Sequence, residues 1–241
     1  MTQVATDLSL TQINHFVNVA HGNLAQVQQL LEAEPTLLEA VNELGETALG
    51  AAAHMGQQDI ARYLLEQGAT LDACTAAMLG QTAEVARRLA DDPTLASAKG
   101  AHGIPLMFHA ALSGNTAVSQ LVLDHGGDGI ETALHAAVKQ GHLAMTKWLL
   151  AQGASTSVLD FHARTPLEVA VEKGDEAITA VLCNHIDPST LAICPQCGER
   201  GWRVVASVSG NRFEEGQTAV YRCHLCQAPM GTSLQSTKRV T

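Results

Sequence analysis

The apolar positions of this chain fall into short helical stripes, each beginning just after a glycine. Gly22, Gly56, Gly80, Gly114, Gly141 and Gly174 precede apolar-periodic runs at residues 24–31, 60–65, 85–89, 118–123, 145–150 and 178–182. Apolar residues at i, i+3 and i+4 line one helix face, so each run predicts an amphipathic helix. Before five of the glycines lies a second, smaller pattern: Ala51-Ala52-Ala53, Ala76-Ala77, Ala110-Ala111, Ala136-Ala137 and Ala170-Val171. These predict short helices whose small side chains let a partner helix approach closely. The segment before Gly22 is bulkier, with Phe16, Val17 and Val19, as suits an end unit. Each glycine is placed to end its first helix in a left-handed conformation.

The glycines are spaced by 34, 24, 34, 27 and 33 residues, so long and short units alternate. Gly22 to Gly80 and Gly56 to Gly114 are both 58 residues, and Glu34-Pro35-Thr36-Leu37 parallels Asp92-Pro93-Thr94-Leu95, which reads as a duplicated two-unit block. Thr165-Pro166-Leu167, Thr132-Ala133-Leu134-His135 and Thr47-Ala48-Leu49 open units, and Gly68-Ala69 and Gly153-Ala154 close them. On these residues the chain resembles the ankyrin repeat over roughly residues 11–186. The resemblance implies an all-α solenoid of six helix-turn-helix pairs joined by β-turn fingers, occupying residues 9–186. The third and fifth units are too short for a finger, so prominent fingers are expected near residues 40–46, 98–103 and 157–164.

Ile186-Asp187-Pro188-Ser189-Thr190 breaks the helical pattern and reads as a linker. Beyond it the pattern changes to strand-like alternation at residues 202–208 and 218–222, with a turn at Ser209-Gly210-Asn211. Cys194 and Cys197 precede these strands; Cys223 and Cys226 follow them. Two Cys-x2-Cys turns at this separation can close a tetrahedron of thiolates around Zn2+. The competing reading is a redox pair or free thiols. The Cys-Pro-x-Cys-Gly knuckle resembles a zinc ribbon, which implies a small C-terminal β domain at residues 191–234 holding one structural Zn2+. Four thiolates would fill the coordination shell, leaving His224 outside it and no open position for catalysis.

Charge and composition narrow the function. Residues 1–186 carry 8 Lys/Arg against 20 Asp/Glu, a net −12, while residues 187–241 carry 6 against 4, a net +2. An acidic solenoid repels phosphates. The basic and aromatic residues of the C-terminal segment, Arg203, Arg222, Trp202 and Tyr221 among them, keep open an alternative: a nucleic-acid-associated regulator whose ribbon contacts DNA or RNA. There is no apolar run of 18 residues and no signal-like N-terminus, so a cytoplasmic chain without membrane contact is expected. Six cysteines in such a chain read as metal ligands or reduced thiols.

The resemblance implies a non-enzymatic protein-protein interaction scaffold or adaptor, expected to be monomeric, that binds a protein partner through a groove of first-helix residues and fingers. The partner-binding residues it implies are His54, Met55, Leu79, Ser113, Lys139, Gln140, Glu172 and Lys173, with His102, Phe161 and His162 on fingers. Asn42 and Glu43 add a further finger pair. No phosphate loop, nucleophile elbow or His-Glu-x-x-His pattern is present. His21, His54 and His109 fall on or near groove-facing positions, so a histidine cluster across adjacent units is conceivable. The resemblance makes His135 and His142 structural hydrogen-bonding residues instead. Cys74 and Cys183 read as buried small hydrophobes.

Overall fold

A computed structural model describes residues 8–185, 203–207, 219–222 and 229–232. Among the described residues twelve α-helices follow one another: α1 (Leu10–Val19), α2 (Leu24–Ala33), α3 (Ala48–Met55), α4 (Gln58–Glu66), α5 (Ala73–Met78), α6 (Thr82–Asp91), α7 (Leu106–Leu112), α8 (Thr116–Asp124), α9 (Ile130–Gln140), α10 (Leu143–Ala151), α11 (Pro166–Glu172) and α12 (Glu176–Cys183). They form six helix pairs, each packed on itself. The chain divides into two compact units, residues 1–153 and 154–241. The first holds five pairs; the second holds α11, α12 and three strands. This division cuts across the boundary expected from the sequence, because the sixth helix pair groups with the C-terminal segment. The linker read at residues 186–190 lies outside the described residues.

The helices begin and end where the sequence signals them. Thr47 caps α3, its hydroxyl accepting from the Gly50 amide at 3.1 Å. Thr165 and Glu168 form a reciprocal capping box on α11, with Pro166 at the first helical position. Gly56 (φ 74°) and Gly141 (φ 77°) end α3 and α9 in the left-handed region. In the first unit α1, α3, α5, α7 and α9 pack in succession as an inner row, with the even-numbered helices outside. Ala51, Ala52, Ala76, Ala77, Ala110, Ala111, Ala136 and Ala137 are fully buried in that row, where there is no room for a larger side chain.

The duplicated block is visible as structure. Residues Pro35–Leu37 and Pro93–Ser97 each form a 3-10 turn after an outer helix. Glu34 in one and Asp92 in the other accept from the amide and hydroxyl of the threonine two residues on. Neither α5 nor α9 is preceded by a finger, as their short spacing requires.

In the second unit β1 (Arg203–Ser207), β2 (Ala219–Arg222) and β3 (Pro229–Thr232) form an antiparallel sheet in the order β1-β2-β3. Arg203 faces Arg222 and Ser207 faces Ala219, with a bulge between Val204 and Ala206. The sequence reading anticipates β1 and β2 but not β3, whose Pro-Met-Gly-Thr carries neither alternation nor β-branched density. A proline is tolerated there because it opens the strand.

Candidate functional site

Three fingers rise from the first and second units on one shared turn. In residues 42–46 the Asn42 amide donates to the Glu46 carbonyl at 2.9 Å and the Gly45 amide to the Asn42 carbonyl at 3.0 Å. The Asn42 side-chain oxygen accepts from the Leu44 and Glu46 amides, both at 2.9 Å. Residues 160–164 repeat this atom for atom: Asp160 accepts from the His162 and Arg164 amides at 2.8 and 3.0 Å, and Ala163 takes the left-handed position of Gly45. Residues 100–104 keep the backbone bonds, Gly100 amide to Ile104 carbonyl at 2.9 Å, but Gly100 has no side chain to close the turn. There both His102 (φ 57°) and Gly103 (φ 70°) are left-handed.

The finger turns carry exposed apolar side chains. Val41 is 49 % exposed, Leu44 74 %, Leu159 54 % and Phe161 89 %. The remaining large exposed hydrophobe among the described residues, Leu10, starts α1. Arg164 braces its finger by a two-nitrogen grip on the Asp160 carboxylate, at 3.0 and 2.7 Å, and by pairing with Glu172. Burial opposes ionisation of Asp160, but hydrogen bonds from the Arg164 side chain and from the Arg164 and His162 backbone outweigh it and hold the carboxyl below its usual range.

The expected groove residues divide into two groups. Phe161 and His162 are exposed at a finger tip, His102 is exposed on its own finger, and Lys139, Glu172 and Lys173 are exposed at inner-helix ends. Met55 and Leu79 are half-buried. Ser113 is committed internally: its hydroxyl donates to Ala110 at 2.6 Å and accepts from the Asn115 amide at 3.0 Å. Gln140 donates to the Met55 carbonyl at 3.4 Å. His54 is buried, and its Nδ1 donates to the Gly50 carbonyl at 3.2 Å. Among the cysteines, Cys74 is buried and its thiol is pushed up to about 12 by burial and by Asp72, so it is no nucleophile. Cys194, Cys197, Cys223 and Cys226 lie outside the described residues.

His54 belongs to a constellation at the inner face. Glu46 lies two residues ahead of α3 and His54 near its end. His21, just past α1, approaches from the preceding pair, its ring centroid 5.0 Å from that of His54. His102 comes from the second finger, with its centroid 5.1 Å from His54 and its Nε2 3.5 Å from Glu46 Oε1. One donor atom from each of the four residues lies within 4.8 Å of all the others. Glu46 is only 4 % exposed. Its Oε1 lies 3.1 Å from His54 Nδ1, yet that nitrogen points its proton at Gly50, so the oxygen accepts no well-directed hydrogen bond. His21 Nδ1 is likewise held by the Val17 and Asn18 carbonyls at 3.0 and 3.2 Å. Burial above all, then the charges of His21 and His102, lowers the His54 pKa to about 4 against the opposing Gly50 hydrogen bond. The sequence offered His21, His54 and His109 as a conceivable cluster and His102 only as a finger contact, and it did not reach Glu46.

Comparison with known proteins agrees with this architecture. The family described as ankyrin repeats (3 copies) matches residues 73–155 and 106–191, and the ankyrin repeat itself matches residues 44–76. The chain belongs to the ankyrin-repeat family. It is 37 % identical over 78 residues to the potassium channel AKT1 of Arabidopsis thaliana, a match covering 30 % of this chain and 9 % of the channel. It is 35 % identical over 86 residues to human diacylglycerol kinase iota, covering 32 % of this chain and 8 % of the kinase. With diacylglycerol kinase zeta of Rattus norvegicus it shares 44 % identity over 64 residues, covering 26 % of this chain and 7 % of the kinase. The chain thus spans less than a tenth of each relative's length. Ankyrin repeats are in general protein-interaction modules. No helix among the described residues is long and apolar enough to cross a membrane.

Proposed function

We propose that this chain is a non-catalytic adaptor that binds a protein partner through its fingers and the exposed ends of its inner helices. The observation that carries this reading is the placement of Val41, Leu44, Leu159 and Phe161 on finger turns. Large apolar side chains held in water on rigid turns mark contact surfaces, and aromatic ones most of all. The turns are closed by Asn42 and Asp160, so little ordering entropy is lost when a partner docks. In this reading Phe161 and His162 lead the contact of the second unit, with Glu172 and Lys173 as its polar rim, and Lys139 serves the first unit. His54, Ser113 and Gln140 serve as scaffold rather than contact.

The C-terminal segment is, on this proposal, a zinc ribbon in which Cys194, Cys197, Cys223 and Cys226 hold one structural Zn2+. The sheet supports it: the second cysteine pair falls in the chain between β2 and β3, and the first precedes β1. A segment this short buries little core, and a metal would supply much of its folding free energy. The test of the adaptor reading is capture of partners from the native host by the intact chain and by the Leu44→Asp/Phe161→Asp double variant. Loss of captured proteins with unchanged helical circular dichroism is expected. Undiminished capture would overturn the finger assignment.

A further inference from the structure

We propose that His21, Glu46, His54 and His102 form a second metal site, at the inner face of the repeats, that takes one divalent transition-metal ion of the zinc class. Four donor atoms from separate elements converge within 4.8 Å of one another. Three imidazole nitrogens and one carboxylate oxygen suit Zn2+ or Co2+ and do not suit Mg2+ or Ca2+, which call for oxygen ligands.

The independent observation is Glu46. A carboxylate oxygen buried to 4 % exposure and accepting no well-directed hydrogen bond is costly unless a cation or a donor reaches it. Neither the His54 nor the His21 Nδ1 proton is aimed at it. The His54 Nδ1 proton is spent on Gly50. His21 spends its Nδ1 proton on Val17 and Asn18. In both rings a backbone carbonyl holds Nδ1, which leaves Nε2 as the nitrogen that can face an ion. A bound dication supplies the positive charge that Glu46 lacks.

The donor separation also fits an ion that is not yet bound. Tetrahedral bonds of about 2.0–2.1 Å place donors about 3.3 Å apart, so the site must contract slightly. His102 can provide that movement, because it is 42 % exposed on a finger tip, whereas Glu46 and His54 are fixed in the wall. The ion would then tie the first, second and fourth helix pairs together.

The test uses the full chain, stripped with a chelator and reloaded with Co2+ or Zn2+. The site has no sulfur, so it is spectroscopically separate from the four-cysteine site: thiolate-to-cobalt charge-transfer bands report only the cysteines. The Co2+ spectrum of wild type minus that of His102→Gln is expected to show ligand-field bands without thiolate bands. Zinc content is expected to fall by one ion per chain, with affinity at this site reduced at least about tenfold. Exposed His102 is chosen because its loss leaves the core intact. Glu46→Gln, similar in shape but uncharged, is expected to show the same loss. Equal metal content and superimposable Co2+ spectra in wild type and His102→Gln would overturn the proposal, whether or not the cysteines bind.

Discussion

At the scale of single residues, the instructive contrast is between Glu46, Ile104 and Arg164, which occupy the same step of three similar finger turns. Ile104 is buried as an apolar plug, Arg164 grips Asp160, and Glu46 turns into the histidine constellation. One backbone position thus yields packing, bracing or chemistry according to its side chain. The acid sensitivity of the constellation belongs to this scale. The folded pKa of His54, about 4, lies below the 6.5 of an ordinary histidine. Above 6.5 neither folded nor unfolded chain protonates it, so no stability is lost. As pH falls from 6.5 toward 4, the unfolded chain takes up a proton that the folded chain refuses, and folding weakens. The groups facing His54 are His21, Glu46, His102 and, farther off, His109. Urea titrations of metal-free protein across that window are expected to show a steeper loss for wild type than for His54→Gln. Parallel losses would mean that the proton uptake lies elsewhere.

At the scale of elements, successive pairs are joined by a recurring hydrogen bond. In three units the residue after the glycine reaches back to the end of the preceding inner helix. Gln57 donates to the His21 carbonyl at 3.0 Å, Asn115 to Gly80 at 3.2 Å, and His142 Nε2 to Leu112 at 3.0 Å. Asn115 adds a bond to the Thr82 hydroxyl at 3.0 Å and caps α8 through the Ala117 amide at 3.0 Å. Asn115→Ala removes both roles and is expected to lower stability by about 1–2 kcal/mol in denaturant titration. A change below a few tenths would show that the link is dispensable. The structural role that the resemblance implied for His142 is this link. Helix positions were legible because each carries its own period and its own terminal glycine. The three fingers and the two missing ones were legible from glycine spacing alone. β3 was not legible, because its residues lack a strand pattern and are recruited by pairing with β2. The convergence on Glu46 was not legible either, since it depends on a finger from two units later, and no local period records that approach.

At the scale of the whole molecule, residues 1–186 carry a net −12 and residues 187–241 a net +2, so the repeats themselves repel phosphate backbones. The fingerless third unit has a consequence for how the repeats come apart. A stack whose units touch only their neighbours can fray one unit at a time from an end. Here the turn at residues 101–103 reaches past α5 to the wall of α3, and Gln140 reaches Met55 from three pairs away. These contacts skip over units, so α3 loses partners when α7 or α9 opens. Native-state hydrogen exchange is expected to give the amides of α3 and α7 a common opening free energy. Protection that declines stepwise along the chain would contradict this. The missing finger turns a row of modules into a clasp: the middle of the array cannot be released while both of its flanks remain closed.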